Sequence, residues 1–106
     1  MKRLPELGRF AEPAMLILVS LSEGPKHGYA MMSDIEAGTG RPIGPGTLYA
    51  ALARLEARGV VEPLAPVDRR RPYRLTALGA TVLREQLTEL SAFAALGLRR
   101  LAEYRG

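Results

Sequence analysis

The chemistry legible in this chain is that of arginine, hydroxyl and glycine, because cysteine and histidine are nearly missing. It has no cysteine and one histidine, His27. Thiol nucleophiles, thiolate metal sites and disulfide frameworks are therefore excluded, and His27 has no second imidazole with which to hold a metal. Nothing in the sequence assembles a Ser-His-Asp arrangement around it, and Glu85 and Glu89, one helical turn apart, read as a solvated pair. The sequence predicts no catalytic residue, metal ligand or cofactor. For His27 two roles remain open, capping the helix that starts beside it or facing a phosphate.

Arginine is different. Asp68-Arg69-Arg70-Arg71-Pro72-Tyr73-Arg74 holds adjacent like charges that repel unless something negative neutralises them. The formal net charge is +4, and all of it lies between Arg41 and Arg74, where Arg41, Arg54, Arg58, Arg69, Arg70, Arg71 and Arg74 face only Glu56, Glu62 and Asp68. The rest of the chain is balanced. A localised excess of this kind is the footprint of a polyanion-binding surface, with a merely solvated basic face as the alternative. Arg69, Arg70 and Arg71 suit a DNA backbone or minor groove. Arg74 either joins them or pairs with Glu62 or Glu56.

Gly44-Pro45-Gly46-Thr47-Leu48-Tyr49 puts small residues at the start of a helix, where backbone can approach a phosphate closely. Thr47 and Tyr49 can each donate a hydroxyl to phosphate. Both Tyr49 and Arg54 lie off the apolar face and can enter a groove; alternatively Tyr49 packs at the hairpin and Arg54 is a solvated charge. A phosphate-cradling P-loop is excluded because no lysine follows Gly46. The expected DNA contacts are thus His27, Tyr29, Gly46, Thr47, Tyr49, Arg54, Arg69, Arg70, Arg71 and Arg74.

These residues need elements to hold them. Pro13 opens an apolar helix through Met15, Leu18 and Leu21 that should be sandwiched between partners. A second helix starts near His27-Gly28, with Tyr29, Met32 and Ile35 marking its buried face. A third runs from Pro45 to Arg58 over Leu48, Leu52 and Leu55, and Gly59 supplies its left-handed cap. Val60 to Glu62 and Tyr73 to Thr76 have strand character and pair as a hairpin. The loop from Pro63 to Pro72 is too long for a tight turn and should project. From Ala77 to Tyr104, capped by Thr76, one long helix carries Leu83, Leu87, Leu90, Ala94, Gly97, Leu101 and Tyr104 at the seam spacing of a coiled coil. That stripe, with Met15 and Leu18, is the expected homodimer interface. Packing within one protomer is the alternative.

At 106 residues, 47% hydrophobic and 25% charged, the chain fits one folded domain. The run Ala14 to Leu21 is far shorter than the ~20 residues of a membrane span, and the flank holding Lys2, Arg3 and Arg9 is interrupted by Glu6 and Glu12. A cytoplasmic protein with no membrane partner is expected. The fold class is mainly α with a small β-hairpin: a winged helix-turn-helix over residues 10–76, then a C-terminal dimerisation helix over 77–106. A winged helix reused purely for protein interaction is the competing function.

The residues also resemble a known family, the phenolic acid decarboxylase regulators, PadR. The matching stretches are Lys26-His27-Gly28-Tyr29, Gly46-Thr47-Leu48-Tyr49 followed by Leu52, Leu55 and Gly59, and Arg71-Pro72-Tyr73-Arg74-Leu75-Thr76 followed by Gly79. The resemblance implies a homodimer whose C-terminal helix packs on the partner's N-terminal region, and a transcriptional regulator, usually a repressor, on an inverted-repeat operator. It further implies that a small hydrophobic or aromatic effector releases the DNA, as phenolic acids and lipophilic drugs do in parts of the family. With one C-terminal helix the chain looks like the short branch, and it departs from the family in having no tryptophan to serve as a flat drug platform: Phe93 and Tyr104 are that helix's aromatics.

Overall fold

The structure, a computed structural model, describes residues 12–106. The flanking Lys2, Arg3, Glu6 and Arg9, and the domain limit at residue 10, lie outside the described residues. The element order is α1 (Pro13–Leu21), β1 (Lys26–His27), α2 (Gly28–Thr39), α3 (Pro45–Ala57), β2 (Val61–Pro63), β3 (Pro72–Leu75) and α4 (Ala77–Ala102). Three helices followed by an antiparallel hairpin form a winged helix, and a fourth, longer helix extends from it.

α1 is apolar on most sides because it packs against α2, α3, α4 and β3. Ile17, Leu18 and Leu21 are buried there with Met31, Ile35, Leu48, Ala51, Leu52, Leu55, Val60, Val61 and Leu83. Each fully buried aliphatic side chain in such a core contributes roughly 1.5–3 kcal/mol. On α2 the buried face is Gly28, Met31 and Ile35, not the expected Tyr29, Met32 and Ile35. Tyr29 is 66% exposed and Met31 fully buried. The helix is rotated because Gly28, rather than Tyr29, is the residue that meets α3.

The start and end of α3 follow from its sequence. Pro45 occupies the first turn, and the end is a Schellman closure: Gly59 N–H donates to the Glu56 carbonyl at 3.0 Å and Val60 N–H to the Leu55 carbonyl at 3.2 Å. Gly59 takes the required positive φ of 76°. The Thr76 hydroxyl then joins two helices, accepting from Gly79 N–H at 3.0 Å as the cap of α4 and donating to the Gly59 carbonyl at 2.7 Å. Gly79 allows α4 to lie directly on the chain at Val60, since a Cβ there would overlap the Val60 carbonyl oxygen.

The wing has one strand more than the hairpin expected. The sheet order is β1-β3-β2, with Lys26 opposite Tyr73 and His27 opposite Pro72 on one side, and Val61, Glu62 and Pro63 opposite Leu75, Arg74 and Tyr73 on the other. Two residues are too short a strand to show any alternation. The long loop also does end in a tight turn, contrary to expectation. Val67 and Arg70 exchange backbone hydrogen bonds at 2.7 and 2.9 Å, with Asp68 and Arg69 between them at φ 50° and 65°. Two positive φ values in a row define the twisted hairpin turn, here made without glycine.

Beyond Leu83, α4 has little of its own domain to lie on. Leu87, Phe93, Leu98 and Leu101 are exposed on it, and Tyr104, expected on the helix, lies exposed just past its end at Ala102. Leu18 and Leu83, expected at a dimer interface, are instead covered within their own protomer.

Candidate nucleic-acid interface

The basic surface is assembled by three elements that start or turn at the same place. β1 delivers His27 to the start of α2, α3 starts nearby with Tyr49, and the wing folds back over both. A hollow of about 230 Å³ is lined by His27, Gly28, Tyr29, Tyr49, Arg69, Arg70, Arg71 and Tyr73. These eight residues come from three separate stretches of sequence, 27–29, Tyr49 and 69–73, and β1 pairing with β3 is what brings the first and last together.

Lys26 fixes the base of this arrangement. Its ammonium donates to the Ser20 carbonyl, pairs with Glu23 at 2.8 Å and lies 3.8 Å from Asp34. Its charge is thereby spent within the fold, so Lys26 anchors β1 between α1 and α2 and leaves the adjacent His27 at the rim. His27 is the cap of α2: Nδ1 accepts from Ala30 N–H at 3.3 Å. Its other nitrogen, Nε2, meets Arg70 Nη1 at 3.3 Å. Of the two roles left open for His27, capping is therefore realised, and the ring reaches the wing as well.

The four wing arginines are not equivalent. Arg74 donates to Glu62 from both Nε and Nη2 at 2.7 Å, the intramolecular pairing that competed with DNA contact. That pair is exposed, so it contributes at most about 1 kcal/mol to stability. Arg71 donates to the Leu64 carbonyl at 2.9 Å, which holds its position and leaves its charge unopposed. Arg69 sits at the turn and Arg70 faces His27. Among the described residues, Arg69, Arg70 and Arg71 have no carboxylate partner, and their guanidinium groups are exposed at the wing.

On α3, Leu48, Ala51, Leu52 and Leu55 are buried, while Gly46, Thr47, Tyr49 and Arg54 are exposed. Tyr49 is 48% exposed: its ring packs over Gly28, yet one side stays open to the hollow. The ring thus packs on the start of α2 rather than on the hairpin alone, and its open side faces the hollow. Thr47 and Arg54 do not line the hollow and share only the exposed face of α3. Tyr73 carries no sequence signal of a site residue, because its alternation with Leu75 points to simple strand packing; it is half-buried and forms a wall of the hollow.

A second region flanks α4. One groove of about 720 Å³ runs past Leu75, Leu83, Leu87 and Ala95, and another of about 610 Å³ past Met15, Leu18, Val82, Leu90 and Phe93. Phe93 and Leu98 fall outside the heptad stripe, yet they are among the most exposed apolar residues of the helix. Among the described residues, no helix is long and apolar enough to cross a membrane.

Known proteins resemble this chain over most of its length. The sequence profile of the Transcriptional regulator PadR-like family matches residues 17–85. A PadR family transcriptional regulator from Eggerthella lenta is 34% identical, with a TM-score of 0.74 over 96% of this chain and 90% of that one. A transcriptional regulator from Clostridium thermocellum is 28% identical, with a TM-score of 0.71 over 88% and 92% of the two chains. An uncharacterised 37.1 kDa protein of transposon TN4556 from Streptomyces fradiae is 46% identical over 78 residues, 74% of this chain; the chain spans 23% of that relative's length.

Proposed function

This chain belongs to the PadR-like family of transcriptional regulators, DNA-binding proteins rather than enzymes, and we propose that it represses transcription from an inverted-repeat operator as a homodimer in the cytoplasm. In this reading residues 10–76 form the reading head and 77–106 the dimerisation helix. α3 enters the major groove with Thr47, Tyr49 and Arg54, and the wing lays Arg69, Arg70 and Arg71 along the neighbouring backbone. The observation that carries this reading is the hollow at which His27, Tyr49 and the wing arginines converge. Phosphate contact by the wing supplies affinity, and α3 supplies position and sequence.

α4 sets the distance between two such heads. An effector lodged in an apolar groove beside α4 would change that distance and release the operator, and the 720 Å³ groove is large enough for a small hydrophobic molecule. Titration with duplex DNA over a salt series tests the reading: the expected plot of log affinity against log salt is steeply negative. Replacing Arg69, Arg70 and Arg71 together with alanine should flatten it while leaving dimerisation intact. A flat slope in the unaltered protein would leave a winged helix used for protein contacts alone.

A further inference from the structure

His27 faces two obligate donors, one at each ring nitrogen. Ala30 N–H points at Nδ1 and the Arg70 guanidinium at Nε2, each at 3.3 Å. A neutral imidazole has one acceptor nitrogen, so only one of these contacts can be a hydrogen bond. The backbone donor is fixed by α2 and partly buried, whereas Arg70 is an exposed side chain on the wing that can turn aside. Leaving the amide unpaired costs more than releasing the arginine. Nδ1 therefore accepts, Nε2 carries the hydrogen, and Nε2–H and the Arg70 guanidinium become two donors directed at one place.

Two donors side by side are satisfied together only by an acceptor, and a charged guanidinium selects an anionic one. We propose that this place seats one phosphate of the DNA backbone, with His27 donating through Nε2–H beside Arg70 and the Tyr49 ring closing the hollow behind them. The seat rests on the DNA-binding reading given above and adds to it a specific contact: the start of α2 and the wing grip the same phosphate. The cap of α2 thus sets the tautomer that makes His27 a donor. Protein–DNA complexes commonly position themselves through such phosphate contacts, which are independent of base sequence.

Because His27 is the sole histidine, its ring nitrogens can be followed without ambiguity by nitrogen NMR of the full chain. In mildly alkaline buffer the free protein should show the Nε2–H tautomer, and its signal should move when duplex DNA is added. The Nδ1–H tautomer would overturn the proposal. Two substitutions separate the two ring nitrogens. His27→Asn keeps a good helix cap but loses the distal donor, so it should melt like the wild type and bind DNA about tenfold more weakly with the salt slope nearly unchanged. His27→Gln keeps a distal N–H and loses the cap, so it should melt lower and bind DNA more tightly than His27→Asn. Arg70→Ala should reduce the salt slope by about one, and combining it with His27→Asn should cost less than the two losses added. Wild-type binding by His27→Asn overturns the seat alone, whereas an unaltered protein that ignores DNA at low salt overturns the reading beneath it.

Discussion

The ring of Tyr49 closes over the backbone of Gly28, so that a Cβ at residue 28 would lie 2.7 Å from Tyr49 Cζ and overlap its hydroxyl. A glycine at the start of α2 thus sets the position of a tyrosine on α3, and through it the back wall of the wing hollow. Gly28→Ala should cost about 1–3 kcal/mol of stability through this overlap, despite alanine's better helix propensity. The cost should largely vanish in a Tyr49→Ala background. Urea unfolding of the four proteins measures the coupling, and additive effects would mean that the two residues do not touch.

The wing tip holds Asp68 and Arg69 at positive φ values of 50° and 65°, where asparagine and glycine would sit with less strain. Each such residue costs of order 1 kcal/mol or more, so the tip trades stability for a projecting guanidinium. Arg69→Gly should raise the unfolding free energy by about 1 kcal/mol and lower the DNA salt slope by about one. Melting curves and DNA titrations made on the same preparation test both halves. A variant that gains stability yet keeps its full slope would remove Arg69 from the interface.

The helices were legible because their signals are local: Pro13 and Pro45 at first turns, Gly59 at a left-handed cap, Thr76 three residues before Gly79. The third strand was not, since Lys26 and His27 are extended only because β3 is there to pair with them. The same long-range pairing hides the site. Gly46 to Tyr49 and Arg69 to Arg71 announce themselves as sequence, but that His27 touches Arg70 across 43 positions follows from the sheet alone. Tyr29 shows how periodicity misleads: a shift of one residue, forced by Gly28 meeting Tyr49, buries Gly28 and Met31 in place of Tyr29 and Met32.

Ser20 is 2% exposed on α1, and among the described residues its hydroxyl has no hydrogen-bond partner, although its carbonyl receives the Lys26 ammonium. A buried hydroxyl without a partner costs roughly 1–3 kcal/mol, and alanine fills nearly the same space with a better helix propensity. Ser20→Ala should therefore stabilise the protein by about 1 kcal/mol and leave DNA affinity unchanged, because the backbone contact with Lys26 survives. Chemical denaturation decides it. A loss of stability would mean that the hydroxyl is satisfied in solution.

At 1.5 Å per residue, the 26 residues of α4 extend about 39 Å. Among the described residues, only its first turns, at Gly79 and Leu83, are buried against its own domain. Leu98 and Leu101 are each 68% exposed and Tyr104 is 72% exposed. A half-helix without packing is marginal in water, so α4 should hold its length only when a second copy covers the stripe from Leu87 to Tyr104. Ala94 and Gly97 would let the two backbones approach closely at mid-seam. Leu87→Glu with Leu101→Glu should accordingly give a monomer by sedimentation, with part of the helical circular dichroism lost. On an operator with two half-sites its affinity should drop at least about tenfold, since linked heads gain from effective concentration, while binding to a single half-site stays as it was. An unaltered protein that sediments as a monomer with α4 fully helical would refute the paired arrangement, and with it the idea that α4 sets the spacing of the two reading heads.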